Sequence, residues 1–294
     1  MNAALGQPAP LGKRPTSTGR PTWRPTGPAP RLTIPGASRI SAPRETKSTE
    51  TNRMIVALIV AAGRGSRMAG PTPKQYRPLG GAAVLRHTVL AFHHHPAIAL
   101  TQVVIHPEDA PLYAEATAGL DLPPAVFGGA TRQESVRRGI EAVAARAPDH
   151  ILIHDAVRPF VAEETITAVI AALARHRAVI AGLPVVDTLK RCAGEIVTAT
   201  LDRAGVWRAQ TPQGFRFPDI LAAHRAADGA LGAGAADLTD DSLVAERAGI
   251  PVAMVLGHED AFKITTEPDL ARAEAILQRR LAASDLAGGA AGED

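Results

Sequence analysis

The chain has 294 residues, of which 46% are hydrophobic and 21% are charged, and its formal net charge at pH 7 is +3. This length and composition can bury a sizeable core, which predicts a globular protein of one large or two small domains. The apolar runs are too short for a helix that spans a bilayer, so no membrane partner is expected. Its one cysteine, Cys192, excludes an intrachain disulfide and a cysteine-based zinc site.

Residues 1–53 differ from the rest of the chain in composition. They contain nine prolines, nine Lys or Arg and two Asp or Glu, which leaves 23 basic and 27 acidic residues for 54–294. Because such a segment buries little apolar surface, we predict a disordered, basic, proline-rich tail. Three interpretations stay open: a dispensable segment before a natural start at Met54, an organelle transit peptide, or a nucleic-acid-binding arm.

The charge and aromatic content of the chain disfavour the third interpretation. Trp23 is the only aromatic residue in the tail, and the rest of the chain is mildly acidic, so no nucleic-acid partner is expected. We expect a cytoplasmic protein, or a plastid protein if the tail is a transit peptide.

From Met54 onward, strand-like and helix-like patterns alternate. MIVALIVAAG is a β-branched run that ends at Gly63, and VLRHTVLAFHHHP has apolar residues at helical spacing. The next predicted elements are, in chain order, strand TQVVIHP, helix APLYAEATAGL, strand PPAVFGG, helix SVRRGIEAVAARAP, a strand in HILIHDAVRPFV, helix EETITAVIAALARHR and strand AVIAGLPVV. This alternation predicts an α/β, Rossmann-like, mainly parallel twisted sheet with helices on both faces. We place the domain at 54–283 and a disordered C-terminal tail at 284–294.

The candidate site lies in the segments that follow the strands, because such sheets bind ligands at the carboxyl ends of their strands. These segments are AAGRGSRM with PTPKQY, GGATRQES, HDAVRP, DTLKR, TDDSLVAE and FKITT. Each carries a glycine, a hydroxyl group or a charge that a buried strand does not need.

The first of these segments has the composition of a polyphosphate cradle. Gly63 and Gly65 allow the backbone to approach a ligand and direct N–H groups at phosphate oxygens, while Arg67 and Lys74 supply positive charge. The segment lacks the lysine–serine ending of a P-loop, and Met68 stands where a dinucleotide motif has its third glycine. The alternative is a tight turn with solvated basic residues.

Asp155, in HDAVRP, is a candidate magnesium ligand. Magnesium prefers one or two carboxylates together with phosphate oxygens of the substrate, and Asp155 follows a predicted strand near the cradle. The alternative is a simple ion pair between Asp155 and Arg158.

In this order, AAGRGSRM with PKQY, GGATRQESV, HDAVRPF, PVVDTLK, WRAQTPQGF, TDD and FKITTEPDL resemble the 2-C-methyl-D-erythritol 4-phosphate cytidylyltransferase family. The resemblance implies that CTP and methylerythritol phosphate react, with a divalent ion such as Mg²⁺, to give the cytidine diphosphate ester and pyrophosphate. It implies that Arg67 and Lys74 stabilise the transition state, and that Arg203 and Lys263 orient the methylerythritol phosphate.

Further roles follow from the same resemblance. The family's β-arm would occupy residues 185–207 and make the protein a homodimer, in which Arg203 and Thr188 contact substrate in the neighbouring subunit. Asp155 would lie near the ribose and the metal. The cytidine-binding positions would be Ala61, Ala62, Gly63, Gly128 and Ser135.

The chain also departs from the family pattern. Ala261 stands where relatives often carry asparagine, and too few residues follow the last predicted helix for the fused cyclodiphosphate synthase domain of some relatives, so we expect that activity to be absent. A ribitol 5-phosphate cytidylyltransferase shares much of the framework and remains the alternative. A nicotinamide-dependent oxidoreductase is disfavoured, because the third glycine and an acidic residue for the ribose are lacking.

Overall fold

A computed structural model describes residues 53–64, 72–229 and 240–289 of the chain. Of the predicted site residues, Arg67 lies outside these ranges, as do Gly65 and Met68. In the described part, none of the helices combines the length and the apolar character needed to cross a bilayer.

The centre of the molecule is a seven-stranded sheet with the order β11-β7-β10-β6-β1-β4-β5. The described strands are β1 (Ile55–Ala61), β2 (Pro78–Leu79), β3 (Ala82–Ala83), β4 (Leu100–Ile105), β5 (Val126–Phe127), β6 (His150–Asp155), β7 (Ala178–Pro184), β8 (Leu189–Ala193), β9 (Ile196–Leu201), β10 (Trp207–Arg216) and β11 (Val252–Leu256). Every neighbouring pair in the large sheet is parallel except the two that β10 makes with β6 and β7. The predicted mainly parallel sheet is therefore confirmed.

Helices cover both faces of this sheet. The described α-helices are α1 (Val84–His93), α2 (Ala110–Ala116), α3 (Arg132–Val143), α4 (Glu163–Leu173), α5 (Phe217–Gly229), α6 (Asp241–Arg247) and α7 (Glu267–Gly289). The alternating side chains of β1 divide between two cores: Ile59 packs with α1 and α4, while Leu58 packs with α3 and α5. A strand buried on both faces explains why its sequence is almost continuously apolar.

The last helix extends beyond the expected end of the domain. We placed the start of a disordered tail at residue 284, but α7 continues to Gly289. The buried residues Ala273 and Ile276 attach the first half of α7 to a third core beside Leu79 and Ile264.

Strands β8 and β9 form an antiparallel hairpin that is a sheet of its own. The chain reverses at Gly194, which has the left-handed φ of 59° that favours glycine. Val186, Ile196 and Val197 are exposed on this hairpin. At its base, Val185 N–H donates to the carbonyl of Val206 at 2.9 Å.

Candidate active site

A cavity of about 330 Å³ lies at the carboxyl ends of β1 and β6, beside the start of α3. The two strands are parallel neighbours, and Val60 pairs with Asp155 in their register. Seven residues predicted for the site line this cavity: Ala61, Ala62, Gly63, Lys74, Ser135, Asp155 and Lys263. The structure therefore brings together segments that are up to 202 positions apart, from Ala61 to Lys263.

Three other predicted residues lie outside the lining. Gly128 does not line the cavity, but its neighbour Gly129 does. Thr188 and Arg203 are exposed at the hairpin. Arg203 donates from Nη1 to the carbonyl of Val186. These two hairpin positions contribute nothing to the cavity of their own chain.

Gln75 joins the two halves of the predicted phosphate cradle, and the sequence analysis did not identify it. Its Nε2 donates to the carbonyl of Ala61 at 2.7 Å, and its side chain is buried. This bond attaches the 3-10 helix of Lys74–Tyr76 to the end of β1. The neighbouring Lys74 is thereby held at the cavity.

The start of α3 forms another wall. The Oγ1 of Thr131 caps the helix by accepting from the N–H of Glu134 at 3.1 Å. The buried hydroxyl of Ser135 donates to the carbonyl of Thr131 at 2.8 Å and accepts from the N–H of Gly129 at 3.0 Å. Ser135 thus holds the loop that precedes the helix.

Gly128 permits the close approach of this loop to β1. A Cβ atom at Gly128 would lie 2.5 Å from the Cβ of Ala62 and 2.7 Å from the Oγ of Ser135. In contrast, a Cβ at Gly63 would meet no atom within 4 Å. The two positions therefore differ in the space available for a side chain: packing requires glycine at Gly128, whereas Gly63 borders open space.

Three cationic side chains surround Asp155. Its carboxylate lies 3.1 Å from Lys263 Nζ, 3.2 Å from Arg158 Nε and 3.7 Å from Arg132 Nη2. Burial alone would raise the pKa of Asp155, but Lys263, Arg132 and Arg158 together hold that pKa well below its ordinary value. Asp155 is therefore ionised, and the ion pair with Arg158 considered from the sequence is one of three.

Arg132, which the sequence analysis did not single out, bridges two buried acids. Its Nη2 lies 2.8 Å from Asp241 Oδ2, closer than it lies to Asp155. Burial would raise the pKa of Asp241, but Arg132 and then His224 lower it. Since Asp241 begins α6, this pair connects the TDD segment to the cavity.

His154 packs inside the protein rather than in the cavity lining. It is fully buried, its Nδ1 lies 2.9 Å from Thr211 Oγ1, and its Nε2 lies 3.1 Å from the carbonyl of Arg158. Burial lowers the pKa of His154 to about 4, so the ring is neutral at pH 7.

The donor set of the cavity fits a divalent ion held mainly by a substrate. Among the described residues, no group of three or more His, Cys, Asp or Glu side chains forms a metal cage. Asp155 offers a single ionised carboxylate at the cavity wall. Magnesium is commonly bound by one or two carboxylates together with substrate phosphate oxygens, and one carboxylate beside an anion-binding cavity matches that pattern.

The electrostatics favour an anionic ligand. Lys74, Lys263, Arg132 and Arg64 line the cavity with Asp155 as an acidic residue between them. Arg64 also pairs with Asp109, 3.5 Å away. Cations that converge on one small cavity bind phosphate oxygens strongly and stabilise charge that develops during phosphoryl chemistry.

Comparison with known proteins gives consistent matches. The family model of IspD, 2-C-methyl-D-erythritol 4-phosphate cytidylyltransferase, matches residues 55–279. Over 225 residues the chain is 55% identical to the bifunctional enzyme IspD/IspF of Rhodospirillum rubrum, an alignment that covers 76% of this chain and 57% of that protein. The corresponding protein of Paramagnetospirillum magneticum is 52% identical over 222 residues, covering 76% of this chain and 56% of that protein. The chain thus spans little more than half the length of these relatives.

Solved structures match the fold over nearly their whole length. The 4-diphosphocytidyl-2C-methyl-D-erythritol synthase of Anaerococcus prevotii is 30% identical with a TM-score of 0.67, and covers 77% of this chain and 97% of its own. The 2-C-methyl-D-erythritol 4-phosphate cytidylyltransferase of Thermus thermophilus is 35% identical with a TM-score of 0.60, and covers 76% of this chain and 99% of its own.

Proposed function

This chain belongs to the 2-C-methyl-D-erythritol 4-phosphate cytidylyltransferase family, and from that premise we propose that it is a nucleotidyltransferase of the non-mevalonate isoprenoid pathway. It converts CTP and 2-C-methyl-D-erythritol 4-phosphate to 4-diphosphocytidyl-2-C-methyl-D-erythritol and pyrophosphate. The observation that carries the proposal is the convergence of Lys74, Lys263 and Arg132 around one cavity at the end of β1.

The proposed reaction is a single displacement at phosphorus. A phosphate oxygen of the methylerythritol substrate forms a bond to the α-phosphorus of CTP, and the bond from that phosphorus to the bridging oxygen breaks. The electron pair leaves with pyrophosphate. Because the attacking phosphate is already an anion, the enzyme needs no general base and acts by alignment and charge stabilisation.

The cations of the cavity have the role of bringing two anions together. Lys74 stabilises the charge that accumulates on the triphosphate in the transition state, and Lys263 orients the phosphate of the second substrate. Arg67 is proposed to act beside Lys74, on the basis of its place in AAGRGSRM. The cytidine is proposed to bind at Ala61, Ala62, Gly63, Gly128 and Ser135.

Asp155 is the residue that would hold the divalent ion, proposed to be Mg²⁺. When bound, such an ion neutralises charge on the triphosphate and on the leaving pyrophosphate. Lys263 and Arg158 pair with the same carboxylate, so Asp155 would have to exchange at least one of these contacts to hold the ion.

The hairpin is proposed to be the dimerisation arm, and the protein a homodimer. Thr188 and Arg203 lie outside their own cavity, and the exposed Val186, Ile196 and Val197 offer apolar surface to a second copy. The arm of one copy then delivers Arg203 and Thr188 to the cavity of the other. A monomer is expected to have little activity.

We propose further that residues 54–289 form the catalytic domain, that 1–53 are an accessory tail, and that the protein acts in the cytoplasm. The relatives reported above are bacterial, which supports that compartment. The ribitol 5-phosphate alternative is not favoured, because the matching proteins carry methylerythritol names.

The test is pyrophosphate release by purified protein with Mg²⁺. CTP, UTP, ATP and GTP are each combined with methylerythritol phosphate or with ribitol 5-phosphate. Release with CTP and methylerythritol phosphate alone is the expected result. A preference for ribitol 5-phosphate would move the protein to another pathway, and no release with any pair would overturn the catalytic assignment.

A further inference from the structure

A second cavity of about 670 Å³ lies at the edge of the sheet opposite the active site. Strand β6 connects the two places, because it begins at His150 in this cavity and ends at Asp155 in the other. Strand β10 runs antiparallel to β6, so its last residue, Arg216, reaches the same edge as His150. The proposed function makes no use of this cavity.

The cavity concentrates positive charge. Arg53, Arg175, Arg177 and Arg216 line it, and Asp149 is the acidic residue among its described lining residues. This contrasts with residues 54–294 as a whole, which hold more acidic than basic residues. A local excess of arginine on a mildly acidic protein indicates an anion site.

Part of this charge is not used by the protein itself. Asp149 accepts from the N–H of Met54 at 2.8 Å, Arg177 donates to Asp219 at 2.8 Å, and Arg216 lies 3.9 Å from the same Asp219 carboxylate. Within the part of the chain that the structure describes, Arg53 and Arg175 form no ion pair. Their guanidinium groups remain available to a ligand.

An imidazole with one unpaired nitrogen among the described residues also lies at the cavity wall. His150 is only 7% exposed, and among the described residues its Nδ1 is buried with no hydrogen-bond partner. Buried polar groups without a partner are rare in native proteins, because their desolvation is uncompensated. Because this nitrogen is shielded from solvent, the exposed part of the ring is what a ligand in the cavity can contact.

We propose that this cavity binds a small phosphorylated anion, with Arg53, Arg175 and Arg216 donating to its phosphate or diphosphate oxygens and His150 as a further hydrogen-bonding group. Guanidinium groups match phosphate because each presents several N–H donors in a planar fork. Three of them at one cavity suit a group with several charged oxygens better than a single carboxylate. The volume lies in the range of small-molecule sites.

The test uses inorganic pyrophosphate as the probe and isothermal titration calorimetry in metal-free buffer. Because pyrophosphate is also expected at the active site, the titrations use the full chain carrying Lys74→Gln and Lys263→Gln, which weakens that site. Adding Arg53→Gln and Arg175→Gln is expected to raise the dissociation constant of the remaining binding at least tenfold. Neither arginine forms an ion pair with a described residue, so the fold should be retained. Circular dichroism and the Tm check this.

The matched control adds Arg247→Gln and Arg279→Gln instead. These two exposed arginines lie outside the cavity and remove the same charge. Equal weakening in both quadruple variants, or no weakening in the first, would overturn the proposal. The proposal would also be overturned if no pyrophosphate binding were detected at about 1 mM ligand, which is the dissociation constant of a weak site. If the first variant does not fold, Arg175→Gln with Arg216→Gln tests the same cavity.

Discussion

The ammonium nitrogen of Lys263 lies 3.1 Å from Asp155 Oδ2, so the residue proposed to orient one substrate is ion-paired with the residue proposed to hold the metal. Arg158 and Arg132 also pair with this carboxylate. Lys263 is the most exposed of the three cations, at 38% of its side chain, and is therefore the easiest to exchange for a ligand.

We expect Lys263→Gln to lower kcat/KM for methylerythritol phosphate about 100-fold, equivalent to about 2.7 kcal/mol of transition-state stabilisation. The Tm should change little, because Arg158 and Arg132 still neutralise Asp155. Steady-state kinetics and thermal unfolding measure the two effects. Arg247→Gln is the control for loss of one charge, and activity within twofold of wild type in Lys263→Gln would remove Lys263 from the mechanism.

Lys74→Ala and Arg67→Ala should each lower kcat by about two to three orders of magnitude, because both cations are proposed to stabilise the charge that develops on the triphosphate. Lys74 lines the cavity and is held there through the neighbouring Gln75, whose bond to Ala61 the substitution leaves in place. The fold should therefore be retained. Single-turnover rates with saturating CTP measure the effect, and an unchanged rate in either variant would contradict the role given to that residue.

The proposed homodimer, in which each hairpin serves the neighbouring cavity, predicts complementation between two inactive variants. Arg203→Ala removes the side chain that the hairpin contributes, and Lys74→Ala removes one from the cavity. In a mixed dimer, the intact cavity of the Arg203→Ala subunit therefore meets the intact hairpin of the Lys74→Ala subunit. Random pairing of equal amounts should restore about a quarter of wild-type activity, since half of the dimers are mixed and each has one intact site. The two purified variants are mixed and allowed to exchange subunits, and the activity of the mixture is compared with that of each variant alone. Without any recovery, Arg203 would not act across the dimer.

The two glycines of the cavity region should respond differently to alanine. Gly128→Ala forces a methyl group against Ala62 and Ser135 and should destabilise the protein by about 1–3 kcal/mol, the usual effect of overpacking. Gly63→Ala meets no atom within 4 Å and should retain wild-type stability while CTP binding weakens. Urea unfolding and CTP titration measure these effects; equal stability of the two variants would contradict the packing argument.

His150 predicts a loss of stability in mild acid. Burial, together with nearby Arg53 and Arg216, lowers the pKa of His150 below its ordinary value of 6.5, while Asp149 opposes the shift. The unfolded chain then binds a proton more readily than the folded one, so stability that is complete above pH 6.5 declines as the pH falls below it.

The measurement for His150 is the free energy of urea unfolding at pH 7.5 and at pH 5.5, in buffer free of phosphate. His150→Gln should show a smaller fall between these two values than the wild type. The other histidines are present in both proteins, so the difference between the two falls isolates His150. An identical fall would show that this imidazole titrates alike in the folded and unfolded chains.

Much of the fold could be predicted from local patterns. The run in β1 is apolar because both of its faces are buried, and Asp155 falls at a strand end, where it joins the cavity. Strand β10 was not predicted, because it buries Gln210, Thr211 and Gln213. These polar side chains have distant partners, such as Asp240, which accepts from Gln213 at 3.0 Å. No local pattern contains that information.

The same distinction applies to the site. Lys74 was predicted because its type and its place after a strand suit phosphate chemistry, and Lys263 was predicted from the resemblance of FKITTEPDL to the family motif. Gln75 and Arg132 lie in two of the candidate segments, PTPKQY and GGATRQES, but were not predicted as site residues. Their importance depends on the carbonyl of Ala61 and the carboxylate of Asp241, which the chain brings near only when folded.

The hairpin joins the sheet at a single closed junction. Trp207 pairs with Pro184 where β10 meets β7, and the bond from Val185 to Val206 closes the base above that pair. A change in hairpin length or sequence therefore leaves the register of the sheet untouched. Such a segment is free to diverge in sequence. If two related enzymes in one cell carried different hairpins, the proposed dimer contact would sort them into separate dimers instead of mixed ones.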